Sequence, residues 1–313
     1  MITTITLNPA LDKTILVEGI NKDCLNRVQK TIISAGGKGI NVSKALFKLG
    51  SSTTVLGVIA GLSGKWIENY LSENNIPHDF VRGAGETRTN LKVFNQRTQS
   101  ITEFNEQGSA VNKETMDKLF HKIKYYANKS GFIVLSGSAP PQCSDDIYLE
   151  IISSLKGTVK TVLDADGILL EKGLNASPSI IKPNIHELGK LFNKTLQTDH
   201  EIVECGKTLI GKGIEKVLVS MGAQGSILIT RGVCYKALPV KVQVKSTVGA
   251  GDSMLAGFLH GLSSGMEDSE ALRLAAACGA AAVSTEGTEM FTKEAVEKII
   301  GEIQVQQKVN KQE

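Results

Sequence analysis

The stretch Ser246-Thr-Val-Gly-Ala-Gly-Asp-Ser253 is the most informative part of this 313-residue sequence. Apolar residues follow it at helical spacing, at positions 255, 258, 259 and 262. Gly249 and Gly251 are therefore expected to open a helix, whose unpaired backbone N–H groups and dipole attract an anion such as a phosphate. Asp252 lies in the first turn of that helix. It is either an acid favoured by the dipole or, beside a bound phosphoryl group, a base for an attacking hydroxyl.

A second glycine cluster, Ala35-Gly-Gly-Lys-Gly-Ile-Asn41, also precedes a helical pattern. Residues 38–49 carry apolar side chains at positions 42, 45, 46 and 49, and Gly50 ends the pattern. The spacing differs from the GxxxxGK[ST] sequence of a P-loop, because Lys38 is followed by Gly39. The cluster is therefore either a tight turn or a place where backbone, Lys38 and Asn41 approach a sugar.

Short apolar runs alternate with helical patterns along most of the chain. Helices are predicted over residues 38–49, 65–73, 113–128, 145–155, 187–192 and 201–212. The runs 132–136 and 217–219 are almost wholly apolar, as strands covered on both faces are. The alternation predicts an α/β fold with a largely parallel sheet. Residues 14–33 and 89–104 carry strand-like runs without intervening helices, which predicts a small separate sheet.

Two further segments have both a structural and a functional interpretation. In Lys182-Pro-Asn-Ile-His-Glu187, Asn184 and Glu187 have the spacing of a helix capping box, and they could equally orient Mg²⁺ through water. Ser220-Met-Gly-Ala-Gln-Gly225 lies between two apolar runs. Its glycines fit a hairpin turn, although such a turn can also form one wall of a nucleotide site.

The composition excludes several classes of function. Hydrophobic residues make up 41% and charged residues 21%, and the net charge is only +3, so neither nucleic acid nor an acidic membrane surface is an expected partner. The longest stretch of small apolar residues, 274–283, is too short to span a bilayer. The five cysteines are widely scattered, which indicates neither a disulfide framework nor a metal site and fits a reducing cytoplasm. A protein that acts on a small molecule is expected.

Taken in order, five segments resemble the ribokinase-like (PfkB) carbohydrate kinase family over about residues 1 to 300. They are Thr6-Leu-Asn-Pro-Ala-Leu-Asp12, Gly36-Gly-Lys-Gly-Ile-Asn41, Leu135-Ser-Gly-Ser138, Lys182-Pro-Asn-x-x-Glu187 and Thr247-Val-Gly-Ala-Gly-Asp252. The resemblance implies a Rossmann-like three-layer α/β sandwich in one kinase domain, residues 1–303, followed by a polar tail, 304–313. It also implies a small β-sheet lid, from about 12–33 and 88–105, with ATP as phosphoryl donor and Mg²⁺ as its helper.

The resemblance also implies roles for individual positions. Those implied in phosphoryl transfer are the base Asp252 and the anion-binding turn Gly249, Ala250 and Gly251. Those implied in binding the sugar phosphate are Asp12, Gly37, Lys38, Asn41, Arg88, Ser138, Asp252 and Arg27. Those implied in binding ATP are Lys182, Asn184, Ser220, Gly222, Gly225, Thr247, Gly249, Gly251 and, beside the adenine, Cys278. Asn184 and Glu187 are implied in holding Mg²⁺ through water or phosphate.

Within the family, the Asn8-Pro9 start, the Gly-Gly-Lys-Gly cluster and Thr87-Arg-Thr-Asn90 are similar to the branch that acts on phosphorylated hexoses. Lys38, Arg88 and Arg27 are then the cations expected to hold the substrate phosphate. The favoured substrate is fructose 1-phosphate, with tagatose 6-phosphate as the alternative, and a homodimer formed through the lid is expected. A non-catalytic sugar-phosphate sensor is a rival from another class, but it would not need to retain Asp252.

Overall fold

The computed structural model describes residues 1–285 and 290–308, and this part of the chain contains fourteen strands. They are β1 (Ile2–Thr6), β2 (Ala10–Val17), β3 (Val28–Gly36), β4 (Thr53–Ile59), β5 (Val81–Arg82), β6 (Arg88–Asn95), β7 (Ser100–Asn105), β8 (Phe132–Ser136), β9 (Lys160–Asp164), β10 (Ile180–Ile181), β11 (Lys216–Ser220), β12 (Ser226–Thr230), β13 (Cys234–Ala237) and β14 (Val305–Lys308). Ten of them form one sheet and four form another.

Ten α-helices occur in the same described residues. They are α1 (Lys38–Lys48), α2 (Gly61–Glu73), α3 (Lys113–Ala127), α4 (Ile147–Ser154), α5 (Gly167–Gly173), α6 (Ile185–Leu191), α7 (Asp199–Gly211), α8 (Ala250–Ser263), α9 (Asp268–Val283) and α10 (Lys293–Ile300). None of these helices combines the length and the apolar character that crossing a membrane requires.

The ten-stranded sheet has the order β14-β13-β12-β11-β10-β9-β8-β1-β4-β5. Its strands run parallel from β5 to β11, whereas β12, β13 and β14 are antiparallel to their neighbours. Strand β8 shows why the central strands are so apolar. Ile133 and Leu135 pack into one buried cluster with α3 and α4, while Phe132 and Val134 pack into another with α8 and α9. Helices therefore cover both faces, which confirms the Rossmann-like three-layer α/β sandwich.

The four-stranded sheet, called the lid below, has the order β3-β2-β6-β7. Strands β2 and β6 pair in parallel, and the two outer pairs are antiparallel. The small separate sheet predicted from the sequence is therefore confirmed. Its strands extend slightly beyond the expected lid bounds of 12–33 and 88–105, because β2 begins at Ala10 and β3 continues to Gly36.

Several parts of the main domain were not predicted from the sequence. The polar tail predicted for residues 304–313 is wrong over residues 305–308, because these residues form β14 and pair with β13. Residues 309–313 of that tail lie outside the described residues. Helices α5, α9 and α10 and strands β5 and β13 were also not predicted. Helix α9 is rich in alanine and packs closely on α8, so small side chains rather than a clear apolar stripe define its buried face.

Candidate active site

The carboxyl ends of the parallel strands bring the candidate residues together. Asp164 is the last residue of β9, Lys182 directly follows β10, and Ser220 is the last residue of β11. Lys38 begins α1, whose preceding strand belongs to the lid. Ligands of open α/β sheets bind outside the carboxyl ends of the strands, so this edge is where chemistry is expected.

A buried charge cluster lies at this edge. The side chain of Asp164 is fully buried, and its Oδ1 atom accepts bonds from Lys38 Nζ at 3.3 Å and Lys182 Nζ at 3.2 Å. Burial alone would raise the pKa of Asp164, yet the two ammonium groups hold it below its ordinary value. The same pairing raises the pKa of Lys38. Buried charges need such partners, because an unpaired one would carry a large desolvation cost.

Asp252 lies in the first turn of α8, next to this cluster, and only 7% of it is exposed. Its Oδ2 atom accepts a hydrogen bond of 2.9 Å from Asn41 Nδ2. Burial and the negative charge of Asp164 raise the pKa of Asp252 to about 6, against the opposing effects of the Asn41 bond, Lys182 and Lys38. The carboxyl group is therefore ionised at neutral pH and has a pKa suited to accepting a proton.

The N-terminus of α8 fits an anion. Gly249 occupies the N-cap position with φ +76°, and no side chain caps the helix, so its first-turn amides lack a side-chain partner. A Cβ atom on Gly251 would lie 3.3 Å from Lys182 Nζ, which places the ammonium group beside the helix start. A cation is unfavourable at this positive end of the helix dipole, and an anion bound between the two would be attracted by both.

Asp12 forms a second cluster, in the lid. It is 5% exposed, and its Oδ1 and Oδ2 atoms accept bonds from Asn90 Nδ2 at 3.0 Å and Lys92 Nζ at 3.3 Å. The register of β2 and β6 sets Asp12 directly opposite Asn90. Gly36 pairs with Ala10 at the end of the same sheet, and a Cβ atom there would overlap the Asp12 carboxylate. Glycine at position 36 therefore leaves room for the Asp12 carboxylate. Position 37 favours glycine because Gly37 has a φ of +109°.

Arg88, the first residue of β6, is held by backbone carbonyls. Its Nε and Nη2 atoms donate to Asn8 O at 3.2 and 3.1 Å, and Nη1 donates to Glu106 O at 3.2 Å. These three bonds leave one N–H on each terminal nitrogen for a ligand. Asn8 also donates from Nδ2 to Ser138 Oγ at 3.4 Å, so Ser138 lies close to the same place. Burial lowers the pKa of Arg88, and the charge of Asp12 partly offsets this effect.

The capping box predicted at Asn184 and Glu187 is present. Asn184 Oδ1 accepts bonds from the backbone N–H groups of His186 and Glu187 at 2.9 and 2.8 Å, and Glu187 Oε2 accepts one from Asn184 N at 2.8 Å. No group of three or more His, Cys, Asp or Glu side chains suited to a metal occurs within residues 1–285 and 290–308. One carboxylate oxygen of Asp164, Oδ2, is nonetheless buried without a partner there. Mg²⁺ commonly binds one or two carboxylates together with phosphate and water, so the residues at this edge fit it.

The predicted nucleotide loop connects β11 and β12. A short 3₁₀ turn, Gly222–Gln224, forms the connection, and Gly222 and Gly225 have φ values of +56° and +89°. The strands are antiparallel, so the hairpin interpretation of this loop is confirmed. Ser220 also forms a parallel bridge with Asn184, which joins this loop to the capping box.

The structure does not bring all predicted residues to the site. Cys278 is 0% exposed, and a Cβ atom on Gly257 of α8 would lie 2.8 Å from its Sγ atom. The side chain of Cys278 therefore fills the interface between α8 and α9, and its contact with adenine stays a prediction. Arg27 is exposed in the connection between β2 and β3. Thr247, in contrast, is exposed next to the uncapped start of α8 and stays a candidate for the nucleotide site.

Three polar residues of these clusters were missed in the sequence: Asp164, Asn90 and Lys92. Asp164 ends an apolar run, 161–164, and an acid in that position at the carboxyl edge of a parallel sheet was a usable signal. Asn90 and Lys92 gave a weaker sequence signal. They are two residues apart and so share a face of β6, but only the strand register shows that this face meets Asp12.

Comparison with known proteins shows to which protein family the chain belongs. The model of the pfkB family of carbohydrate kinases matches residues 5–294. The chain belongs to the pfkB family of carbohydrate kinases. It is similar to the 1-phosphofructokinase of Borreliella burgdorferi, with 36% identity over 90% of this chain and 91% of the relative. It is equally similar, at 36%, to the 1-phosphofructokinase of Bacillus subtilis over 97% of this chain and 99% of the relative.

Solved structures of pfkB family members agree with the fold. Phosphofructokinase-2 from Escherichia coli, in complex with substrates and products, has a TM-score of 0.92 and 29% identity, over 96% of this chain and 98% of that one. The family and these relatives identify the chain as an ATP-dependent sugar-phosphate kinase. The recognition made from the five ordered motifs is therefore confirmed.

Proposed function

We propose that this pfkB kinase transfers the γ-phosphoryl group of ATP to fructose 1-phosphate, giving fructose 1,6-bisphosphate, with Asp252 as the base. The observation that carries the proposal is the buried carboxyl group of Asp252, which lies next to the uncapped start of α8 and accepts a hydrogen bond from Asn41. The relatives from Borreliella burgdorferi and Bacillus subtilis, both named 1-phosphofructokinase, support the choice of sugar.

The sugar phosphate binds between the lid and α1 in this proposal. Arg88 offers two N–H groups, one on each terminal nitrogen, and such a pair suits two oxygens of one phosphate. Lys38 adds a second cation, because its side chain is about one-third exposed while it pairs with Asp164. Asp12 and Asn41 accept and donate bonds to the sugar hydroxyls, with Gly37 and Ser138 at the edge of the site.

ATP binds on the other side of Asp252. The first-turn amides of α8, at Gly249 to Gly251, and the Lys182 ammonium group hold the transferring phosphate, since both lie at the helix start. The loop from Ser220 to Gly225 and the exposed Thr247 form the rest of the nucleotide wall. Mg²⁺ would be held near Asn184, Glu187 and the unpartnered oxygen of Asp164, and it supplies charge stabilisation to the phosphates when bound.

The chemical step then needs little from the protein beyond alignment and charge. Asp252 accepts the proton of the free sugar hydroxyl as that oxygen attacks the γ-phosphorus atom of ATP, while the bond from this phosphorus to the β–γ bridging oxygen breaks and ADP leaves. The hydroxyl proton leaves late in a loose transition state, so the position of the carboxylate matters more than a strongly raised pKa. Lys182 and the α8 amides stabilise the charge on the transferring group. Closure of the lid excludes water, which would otherwise compete as acceptor.

The lid also supports the proposal of a homodimer. Its outer strands β3 and β7 expose Val28, Ile33, Ile101 and Phe104, each by more than 40% of its surface. Apolar side chains gathered on one small sheet are typical of an association surface. Phosphofructokinase-2 from Escherichia coli has been solved in a tetrameric form, so association occurs in a neighbour of this fold. Light scattering should give twice the chain mass, and Phe104→Glu should reduce it to that of one chain; an unchanged mass would reject the lid as the interface.

A cytoplasmic location is part of the same proposal. The cysteines at positions 24, 143, 205, 234 and 278 are all free, as expected where thiols stay reduced. ATP is available in that compartment as well.

The substrate is tested by a coupled ADP-release assay on fructose 1-phosphate, fructose 6-phosphate and tagatose 6-phosphate side by side. The largest kcat/KM is expected for fructose 1-phosphate. A larger value for tagatose 6-phosphate would replace the proposed substrate and keep the kinase assignment. Saturable binding of a sugar phosphate without ADP release would instead indicate a sensor.

A further inference from the structure

The connection that enters the lid is fastened to a helix of the main domain. Glu86 lies two residues before Arg88, and its Oε1 and Oε2 atoms accept bonds from the backbone N–H groups of Ser63 at 2.6 Å and Leu62 at 3.1 Å. These amides belong to the first turn of α2, whose own N-cap residue, Ala60, provides no side-chain bond. Glu86 therefore caps α2 from 24 residues away in sequence.

The start of α2 is shaped to receive this carboxylate. Gly61 has φ +64°, and a Cβ atom there would overlap the Glu86 carboxylate. Only glycine accepts both conditions, because other residues rarely adopt this conformation and all of them carry a Cβ. The neighbouring residue Thr87 adds a second fastening, since its Oγ1 atom accepts a bond of 2.8 Å from Ala60 N.

The strand that leaves the lid is joined to the same point. Ser109 Oγ accepts a bond from Glu86 N at 2.9 Å and donates one to Glu86 O at 2.9 Å. A Cβ atom on Gly85 would come within 2.8 Å of Ser109 Cβ, so a small residue is needed there too. Both connections between β6–β7 and the main domain thus meet at the N-terminus of α2. We call Gly61, Glu86, Thr87 and Ser109 the lid root.

Arg88 follows the lid root directly in the sequence. Its guanidinium group bonds two carbonyls, Asn8 O from the main domain and Glu106 O from the returning strand. A shift of the root would change the separation of these two carbonyls and so turn the two N–H groups left for a ligand. A cleft of about 20 Å³, lined in part by Asn8, Glu86 and Arg88, lies beside the root.

We propose that Glu86 is a positioning residue for substrate binding, which sets Arg88 by fixing the lid root to α2. The proposal rests on the role given above to Arg88 in binding the substrate phosphate. Glu86 itself touches neither substrate nor ATP in this scheme. Its removal therefore raises KM for the sugar phosphate and leaves KM for ATP unchanged, whereas a loss of helix stability alone would move neither constant.

The experiment compares Glu86→Ala, Glu86→Gln and Gly61→Ala with the control Glu201→Ala. The control is matched because α7 and α2 both have thirteen residues, and Glu201 also accepts two backbone N–H bonds at a helix start. We expect KM for fructose 1-phosphate to rise about five-fold in Glu86→Ala and Gly61→Ala, the scale of one lost helix cap. Gln retains one acceptor oxygen, so Glu86→Gln should give a smaller rise, and Glu201→Ala should give none.

The double variant Glu86→Ala/Arg88→Ala distinguishes the positioning role of Glu86 from the proposed role of Arg88 in binding the substrate phosphate. If Glu86 acts through Arg88, adding Glu86→Ala to Arg88→Ala should not raise KM further. Additive effects, or an unchanged KM in folded Glu86→Ala, would overturn the positioning role. If Arg88→Ala alone leaves KM for the sugar phosphate unchanged, the proposed phosphate site is wrong, and a rise caused by Glu86→Ala would then need another explanation. Thermal unfolding of every variant shows which of them are folded.

Discussion

The two halves of the candidate site are built in different ways. The half on the main sheet, with Asp164 and Lys182, lies on strand ends that are buried on both sides, and Asp164 is paired there through one of its two oxygens. The half on the lid, with Asp12 and Lys92, lies on a sheet whose outer strand β7 is exposed throughout. The main-sheet half is therefore fixed by the core. The lid half lies on a separate sheet with less support from the core, and in the proposed function this sheet closes over the sugar.

The difference between the two halves of the site is tested most strongly by removing the proposed base from the main-sheet half. Asp252→Asn keeps the shape of the side chain and its contact with Asn41, but it cannot accept the hydroxyl proton. We expect kcat to fall by about 10²-fold or more, with binding of ATP and fructose 1-phosphate retained. Steady-state kinetics and calorimetric titration measure the two effects. Nearly normal turnover would reject Asp252 as the base.

The next largest effect is expected at Asp164. Asp164→Asn leaves the ammonium groups of Lys38 and Lys182 without their shared carboxylate, and breaking a buried pair in this way costs about 3 kcal/mol of folding stability. Chemical denaturation measures that loss. The control is Asp164→Asn/Lys182→Met, which removes one cation with the anion and should recover part of the stability. A loss just as large in the double variant would show that the charge pairing is not its cause.

These main-sheet residues also show how much of the fold and of the site could be predicted from the sequence. The alternation of apolar runs and helical patterns predicted the layers, because burial on both faces leaves a plain apolar signature. Glycines before α1 and α8 marked the two turns at the site. Asp164 was missed because a single acid at a strand end looks like an ordinary loop residue until the strand order brings Lys38 to it. The pairing of Asp12 with Lys92 depends on strand register, which no local pattern specifies.

The pH dependence of the main-sheet half follows from the pKa of Asp252. Since burial and Asp164 raise this pKa to about 6, protonation below that pH removes the base. We expect kcat/KM to fall about ten-fold for each pH unit below 6, while remaining flat from pH 7 to 8. In Asp164→Asn the charge that raises the pKa is lost, so the acid limb should move to lower pH. An acid limb that stays at the same pH in this variant would assign the titration to another group.

The smallest kinetic effect is expected in the lid half, at Lys92, although breaking its buried pair with Asp12 also costs folding stability. Lys92→Met keeps most of the side-chain volume and removes one of the two donors that hold the Asp12 carboxylate, while Asn90 remains in place. Because Asp12 contacts only the sugar in the proposed site, KM for fructose 1-phosphate should rise about three-fold, by the loss of one hydrogen bond to a charged group. The KM for ATP and the pH profile should not change, because neither depends on the lid. A change in the acid limb of Lys92→Met would mean that the two halves are electrostatically coupled, and the division of the site into a fixed half and a moving half would then be wrong.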